Sequence, residues 1–120
     1  MASLNVIQGA QAGTHFELSK RPLSIGREAG RDIQITDPKV SRKHAVVRFE
    51  NGGYIIVVAS ARNGVKLNGL KIGEQAALSE GDQIGMGDTV LQFSELGAFK
   101  GDAVNEIKAA TRGDKTIVQS

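Results

Sequence analysis

The sequence predicts an all-β fold, a sandwich of two antiparallel sheets, and two observations carry that prediction. Short runs of β-forming residues recur along the chain, with turn-forming clusters between them. No helical periodicity stands out before residue 97. Short strands at this spacing are typical of a sandwich or barrel, and two sheets packed face to face are the economical arrangement.

We expect nine strands, at residues 4–8, 15–18, 22–26, 33–35, 45–50, 54–58, 65–67, 82–86 and 90–93. In the fifth strand the apolar side chains of Ala45, Val47 and Phe49 alternate with side chains that point to the opposite face of the sheet. This alternation predicts that the face with these three residues lies in the core. Residues 54–58 are apolar throughout, as in a more central strand. The pair Asn68-Gly69 predicts a two-residue hairpin turn.

The length of 120 residues fits one domain, which we place at residues 1–96. After Leu96 the composition changes, and we expect residues 97–120 to form a C-terminal tail that is mostly unstructured or weakly helical. A weak helix is expected over 103–110, with Asp102 as its N-cap.

The composition excludes several classes of site. Without cysteine the chain has no disulfide, thiolate zinc site or cysteine nucleophile, and a reducing intracellular setting fits. Neither a signal-like start nor a run of about 20 apolar residues occurs, so we expect a cytoplasmic protein that does not enter a membrane.

Positive charge is concentrated in the middle of the chain. The net charge is only +2, but residues 27–71 carry nine Lys or Arg against four Asp or Glu. This region is therefore where an anionic ligand would be attracted. Nucleic acid is the less favoured anion, since the sequence has only four Phe, one Tyr and no Trp for base stacking, and no long basic stripe.

A phosphate monoester is the anion that the residues near the turns fit best. It carries roughly two negative charges and three acceptor oxygens, so its site needs a guanidinium group and neutral donors. Loop positions supply both, and we expect them to converge on one loop-rich end of the sandwich: Arg27, Ser41, Arg42 and Arg62.

Four short motifs follow one another between the strands: Gly26-Arg27, Ser41-Arg42-Lys43-His44, Asn63-Gly64 and Asn68-Gly69. In this order and spacing they resemble the forkhead-associated (FHA) domain, over about residues 4–93. The string from Asp37 to Ala45 is especially similar to the family pattern. The resemblance implies a β-sandwich that recognises phosphothreonine through the loops at one end.

The resemblance also implies a role for each motif residue. Arg27 would pair with the phosphate, and Ser41 would donate its hydroxyl to a phosphate oxygen. Asn63 would bond the peptide backbone beside the phosphothreonine, although an ordinary turn residue before Gly64 explains it as well. Lys39 lies where the family reads the third residue after the phosphothreonine.

The remaining motif residues are interpreted as supports or stay open. Gly26, His44 and Gly64 would support the loops, with His44 holding the Ser-x-x-His turn by hydrogen bonds. A metal or acid–base role for His44 is not favoured, because His15 is the only other histidine and no acidic cluster accompanies it. Arg42 is either a phosphate contact or a solvated loop arginine.

Two residues depart from the family pattern. Arg62 stands where a hydroxyl residue usually precedes Asn63, which exchanges a neutral donor for a cation. That exchange either strengthens phosphate binding or indicates a different ligand. Val58 replaces the usual Asp, so the rigidity of this loop is in question.

The sequence therefore predicts a non-enzymatic phosphothreonine-binding adaptor without cofactor or metal, since no nucleotide loop or nucleophile–base pair can be assembled. Its expected partners are phosphothreonine proteins or peptides and a serine/threonine kinase, and because no second domain is attached we expect a free-standing bacterial monomer. The alternative is a phosphate-independent scaffold that uses the same loops. Thr111 and Thr116 in the tail are candidate phosphorylation sites, through which the tail would bind the site of its own chain or of a second copy.

Overall fold

The computed structural model describes residues 2–95, and this part of the chain forms eleven strands in two sheets. In chain order the strands are β1 Ser3–Gln8, β2 His15–Glu17, β3 Leu23–Gly26, β4 Ile33–Gln34, β5 Ala45–Glu50, β6 Gly53–Val58, β7 Lys66–Leu67, β8 Leu70–Lys71, β9 Gln75–Ala77, β10 Gln83–Met86 and β11 Thr89–Ser94. Among residues 2–95 there is no helical segment that could span a membrane.

The two sheets confirm the predicted sandwich, with one exception to its antiparallel pairing. The first sheet has the order β2-β1-β11-β10-β7-β8, and its strand pairs are antiparallel. The second has the order β4-β3-β5-β6-β9. In that sheet β3 and β4 pair in parallel, with Ile25 opposite Ile33.

All nine predicted strands are present, each with bounds within one residue of the prediction. The sequence analysis missed the two-residue strand β8 and the three-residue strand β9. The predicted hairpin is confirmed. Asn68 and Gly69 connect β7 to β8 with φ of 53° and 87°, the left-handed pair that a tight hairpin requires.

The core lies between the sheets and is built from the inward-facing side chains of paired strands. Leu4 is opposite Phe93 in the first sheet, and Val47 is opposite Ile56 in the second. All four are almost fully buried. Tyr54 packs against Phe93 at the rim of this core, with ring centroids 5.8 Å apart.

Strands β5 and β6 follow the predicted pattern only in part. Ala45 and Val47 are buried as expected, whereas Phe49 is only partly buried and packs edge-on against Tyr54. Residues 54–58 belong to β6, which lies inside the sheet between β5 and β9, while β5 occupies the middle of the sheet. In β6 only Ile56 is fully buried.

The loops that contain the predicted motif residues lie together at one end of the sandwich. The loops after β3, β4 and β6 meet there, together with the turn between β10 and β11. The predicted tail, with its helix over 103–110 and with Thr111 and Thr116, lies outside the described residues.

Candidate functional site

Main-chain hydrogen bonds join the three marked loops into one surface. The Arg27 N–H donates to the carbonyl of Ser41 at 3.0 Å. From the other side, the N–H groups of Ala59 and Ser60 donate to the carbonyls of His44 and Lys43 at 3.0 and 3.1 Å. The loop that contains Ser41 is therefore held between the other two.

Gly26 permits the closest of these approaches. A Cβ atom at this position would lie 2.0 Å from the carbonyl oxygen of Arg42 and 2.7 Å from its carbonyl carbon. Both are main-chain atoms and cannot move aside cheaply. Any residue with a side chain would push β3 away from the loop that carries Ser41.

Arg27 is fixed by one edge of its guanidinium group. Its Nε–H donates to the carbonyl of Val40 at 2.9 Å, and the residue lines a depression between the loops. The bond uses one of the five N–H donors of the group, which leaves both terminal nitrogens for a ligand. A pre-oriented fork of this kind suits the oxygens of a phosphate.

Ser41 presents a neutral donor beside this fork. Its Oγ accepts the N–H of Arg62 at 2.9 Å, which fixes the hydroxyl oxygen. Since that bond uses a lone pair, the hydroxyl proton stays available for an acceptor in the depression. Arg27 and Ser41 thus supply the cation and the neutral donor that a phosphate needs.

His44 connects two of the loops from inside the protein, where it is fully buried. Its Nδ1 accepts the Ser41 N–H at 2.9 Å, so the ring proton must lie on Nε2. Nε2 then donates to the carbonyl of Gly64 at 2.8 Å. Both ring nitrogens hold backbone, as expected for a supporting residue.

Gly64 adopts a φ of +75°, a conformation that side chains disfavour. A Cβ there would also lie 2.7 Å from Cε of Lys71. The residue before it, Asn63, donates from Nδ2 to the carbonyl of Lys39 at 2.8 Å. That bond orients the amide so that its oxygen is left to accept an N–H from a ligand.

The depression encloses about 790 Å³ and is strongly cationic. Its one carboxylate, that of Glu28, lies 3.6 Å from Arg31. Within residues 2–95, no ion pair involves the side chains of Arg42, Lys43 or Arg62. The cations around it are Arg27, Lys39, Arg42, Lys43 and Arg62. The structure therefore brings together every phosphopeptide-contact residue that the sequence predicted.

Comparison with known families decides the assignment. The model of the FHA domain matches residues 23–87, more than half of the chain. The chain belongs to the FHA-domain family. The matched segment contains the three loops that form the depression.

The chain is similar to curated regulators from actinobacteria. It is 36% identical over 92 residues to the glycogen accumulation regulator GarA of Mycolicibacterium smegmatis, an alignment that covers 77% of this chain and 58% of GarA. It is 34% identical to the oxoglutarate dehydrogenase inhibitor of Corynebacterium diphtheriae, covering 77% of this chain and 64% of that protein. The chain thus spans less than two thirds of the length of these relatives.

Solved structures show the same fold. The FHA domain of CT664 from Chlamydia trachomatis is 30% identical, with a TM-score of 0.72 over 78% of this chain and 96% of that one. Mycobacterium tuberculosis EmbR, solved with a low-affinity phosphopeptide, is 28% identical, with a TM-score of 0.75 over 83% of this chain and 26% of EmbR.

Sequence reasoning missed one residue that organises this FHA site. Asp37 is 8% exposed, and its carboxylate accepts the N–H of Lys39 at 2.9 Å, the N–H of Asp88 at 2.7 Å and the hydroxyl of Thr89 at 3.0 Å. It anchors the β4–β5 loop to the β10–β11 turn. Burial raises the pKa of Asp37, but the hydrogen bonds and the charge of Lys39 outweigh burial and hold this pKa below its usual value.

A local signal for Asp37 was present in the sequence. An Asp that opens a loop just before Pro38 commonly accepts the N–H two residues ahead, and here that N–H belongs to Lys39. The other two donors come from residues 51 and 52 positions away. No local pattern could have predicted them.

Metal binding finds no support in the described part of the chain. Residues 2–95 contain no group of three or more His, Cys, Asp or Glu side chains that could hold a metal ion. His15 contacts Asn5 and Glu17 at the β1–β2 edge, on strands that do not contribute to the depression.

Proposed function

We propose that this FHA domain is a non-catalytic adaptor that binds a phosphorylated threonine on a partner protein. The arrangement of Arg27 and Ser41 carries the proposal. The guanidinium group is tethered to Val40 and the hydroxyl oxygen is held by Arg62, so the two donors meet the phosphate in fixed positions. Fixed donors lose little conformational entropy on binding, which favours affinity.

The proposed partners are a phosphothreonine protein and the serine/threonine kinase that modifies it. EmbR supports a phosphopeptide ligand, because it was solved with one and shares this fold at 28% identity. The relatives named as regulator and inhibitor support a control function rather than catalysis. A cytoplasmic location and a monomeric state stay predictions.

The decisive test is Arg27→Ala, measured against a phosphothreonine peptide library and the matched unphosphorylated peptides. Loss of a charge-assisted contact of about 1.5–3 kcal/mol should weaken phosphopeptide binding roughly ten- to a hundredfold. Arg21→Ala removes an arginine that lies outside the depression and pairs with Asp32, so it should leave binding unchanged. Retained affinity within a factor of two for Arg27→Ala would show that the anchor is another residue.

Nuclear magnetic resonance locates the binding site by showing which backbone amides shift when the phosphopeptide binds. On titration with the tightest phosphopeptide, the perturbed amides should be confined to residues 26–27, 39–44 and 62–64. Perturbation centred on the outer face of either sheet would contradict this site.

A phosphate-independent scaffold is the second candidate, and Arg62 is the observation that favours it. Arg62 replaces a hydroxyl residue at the edge of the depression, and it brings a cation that one phosphate does not require. The same titration separates the two functions, since a scaffold would bind phosphorylated and unphosphorylated partners with equal affinity.

We further propose that the C-terminal tail, residues 97–120, regulates ligand binding by the domain. Thr111 is followed by Asp114 at the third position, and Lys39 stands in the loop that would meet such an aspartate. The 15 residues from Leu96 to Thr111 span on the order of 20 Å as a flexible coil, so phosphorylated Thr111 could reach a site in its own chain or a second copy. Local attachment raises the effective concentration to the millimolar range.

The tail is tested by phosphorylating the whole chain at Thr111 and measuring its affinity for an external phosphopeptide, together with the mass of the particle. Reduced affinity at constant mass indicates that the tail binds the site of its own chain. A doubled mass indicates that the tails of two chains bind each other's sites. Thr116, with Gln119 at its third position, is the rival site, and Thr111→Ala distinguishes them. Unchanged affinity, mass and Arg27 amide shift would refute the switch.

A further inference from the structure

A groove adjoins the depression and takes no part in the contacts proposed so far. It encloses about 590 Å³ between the β6–β7 loop and the β10–β11 turn. Lys39 and Asn63 line both the groove and the depression. A peptide that leaves the depression past Asn63 on this side therefore enters the groove, which we call the side groove.

Small residues and a few charges define the side groove. Gly69, Gly85 and Gly87 contribute backbone without side chains, which leaves room for a ligand. Its charged residues are Lys39, Lys66 and Asp88. The groove is thus cationic overall, with one acid.

That acid is already bound to a cation of the groove. Asp88 Oδ1 lies 3.2 Å from Lys39 Nζ, and the side chains are 73% and 61% exposed. Exposed pairs of this kind contribute little, because water and salt screen the two charges. A ligand carboxylate could therefore displace Asp88, but it would have to compete with it.

The pair is held in place through its backbone. Asp37 accepts the N–H of Lys39 with one carboxylate oxygen and the N–H of Asp88 with the other. A Cβ on Gly87 would lie 2.8 Å from Cβ of Lys39 and 2.9 Å from Oδ2 of Asp37, so the turn can approach this closely only with glycine. Asp88 is consequently a fixed neighbour of Lys39 and not a chance surface contact.

We propose that Asp88 is a specificity-determining residue, which competes with an acidic residue of the ligand for the ammonium group of Lys39. The proposal rests on the phosphopeptide function proposed above. It implies that the wild-type protein discriminates only weakly between acidic and neutral residues at the ligand position that faces Lys39. Removal of the Asp88 charge should increase this discrimination.

The test uses phosphothreonine peptides that carry a single Asp, or Ala as the reference, at each of the four positions after the phosphothreonine. The measured quantity is the ratio of the Asp to the Ala affinity at each position. In Asp88→Asn this ratio should rise about two- to fivefold at one position, the range that corresponds to an exposed ion pair. The backbone bond from residue 88 to Asp37 is retained in this variant.

Two further variants separate competition from a general change of charge. Lys39→Met keeps the backbone groups that bond Asp37 and Asn63, and in its background Asp88→Asn should no longer alter the ratio. Glu95→Gln removes a negative charge after the far end of β11, outside both cavities, and should alter nothing.

The possible results are distinct. An unchanged ratio at all four positions in Asp88→Asn, with phosphate dependence retained, overturns the inference and leaves the proposed function intact. If Asp88→Asn still raises the Asp-to-Ala affinity ratio in the Lys39→Met background, the inference is also overturned. The effect would then come from the change in net charge and not from competition for Lys39. Absence of phosphate dependence in the wild type overturns the proposed function and the inference together.

Discussion

Replacing Asp37 by Asn tests how far one buried carboxylate supports the binding end of the sandwich. The carboxylate accepts three hydrogen bonds, and an amide has one oxygen in place of two. When that oxygen stays with Asp88 and Thr89, the N–H of Lys39 faces an NH₂ group and loses its acceptor.

The size of the effect follows from those bonds. An unsatisfied buried donor costs about 1–3 kcal/mol, and the two remaining bonds each lose roughly 1 kcal/mol as they change from charge-assisted to neutral. Relief from burying a charge offsets part of this, so we expect a net loss of about 2–4 kcal/mol in the free energy of unfolding at neutral pH. That loss is smaller than the roughly 5–15 kcal/mol of a typical domain, so the variant should still fold.

The pH dependence has a definite sign. The pKa of folded Asp37 lies below its usual value of 3.8, so its stabilisation is fully present above the unfolded pKa and is lost as the pH falls through the folded one. A protonated carboxyl group resembles an amide, because in both a donor group replaces one of the two carboxylate oxygens. The stability difference between wild type and Asp37→Asn should therefore shrink as the pH is lowered from about 5 towards and below the folded pKa.

Urea unfolding at a series of pH values measures this difference, with phosphopeptide affinity as a second readout. Asp32→Asn is the matched control, because the N–H of Ser24 and the side chain of Arg21 also lower the pKa of Asp32, which is a third exposed and lies outside both cavities. A destabilisation no larger than that of Asp32→Asn, or a difference that does not change with pH, would refute the assigned role of Asp37.

Three more predictions concern the same end of the molecule. Gly26→Ala should destabilise the fold by about 1–3 kcal/mol or more in urea unfolding, whereas Gly53→Ala, with open space around its Cβ, should be far milder. His44→Leu leaves the Ser41 N–H and the Gly64 carbonyl without partners, each costing about 1–3 kcal/mol, and should weaken phosphopeptide binding as well as stability. Phosphothreonine should bind about fourfold more tightly than phosphoserine in calorimetric titration, because burying a methyl group contributes about 0.8 kcal/mol; equal affinities would contradict a threonine-reading pocket.

The fold was predictable because local signals in this chain agree with the global arrangement. Strand β5 shows its buried face by alternation, and Asn68-Gly69 specifies its hairpin by left-handed φ values alone. Strand β9 carries no such signal. Its three residues pair with β6, and that pairing is a tertiary contact that the residues themselves do not encode.

The site likewise has a part that local motifs indicate and a part that depends on contacts between distant residues. Arg27, Ser41 and His44 belong to short motifs that resemble the family pattern, so their place at this end of the sandwich could be predicted from the sequence. The links that fix the site's geometry join distant parts of the chain. Lys39 and Asp88 are 49 residues apart, and no pattern within either loop indicates the other.

Val58 departs from the family pattern at the start of the β6–β7 loop, and main-chain hydrogen bonds are what the structure shows there. The sequence left the rigidity of the β6–β7 loop in question, because Val58 cannot supply the side-chain bonds of an Asp. In the structure main-chain bonds hold this segment at both ends: the N–H groups of Val58 and Gly64 donate to the carbonyls of Glu74 and Ala61 at 2.8 and 3.1 Å. The Arg62 N–H, which any residue but proline would provide, holds the Ser41 hydroxyl. The side chain at position 62 takes no part in that bond, so we expect Arg62 to influence which ligand the site binds and not whether the loop forms.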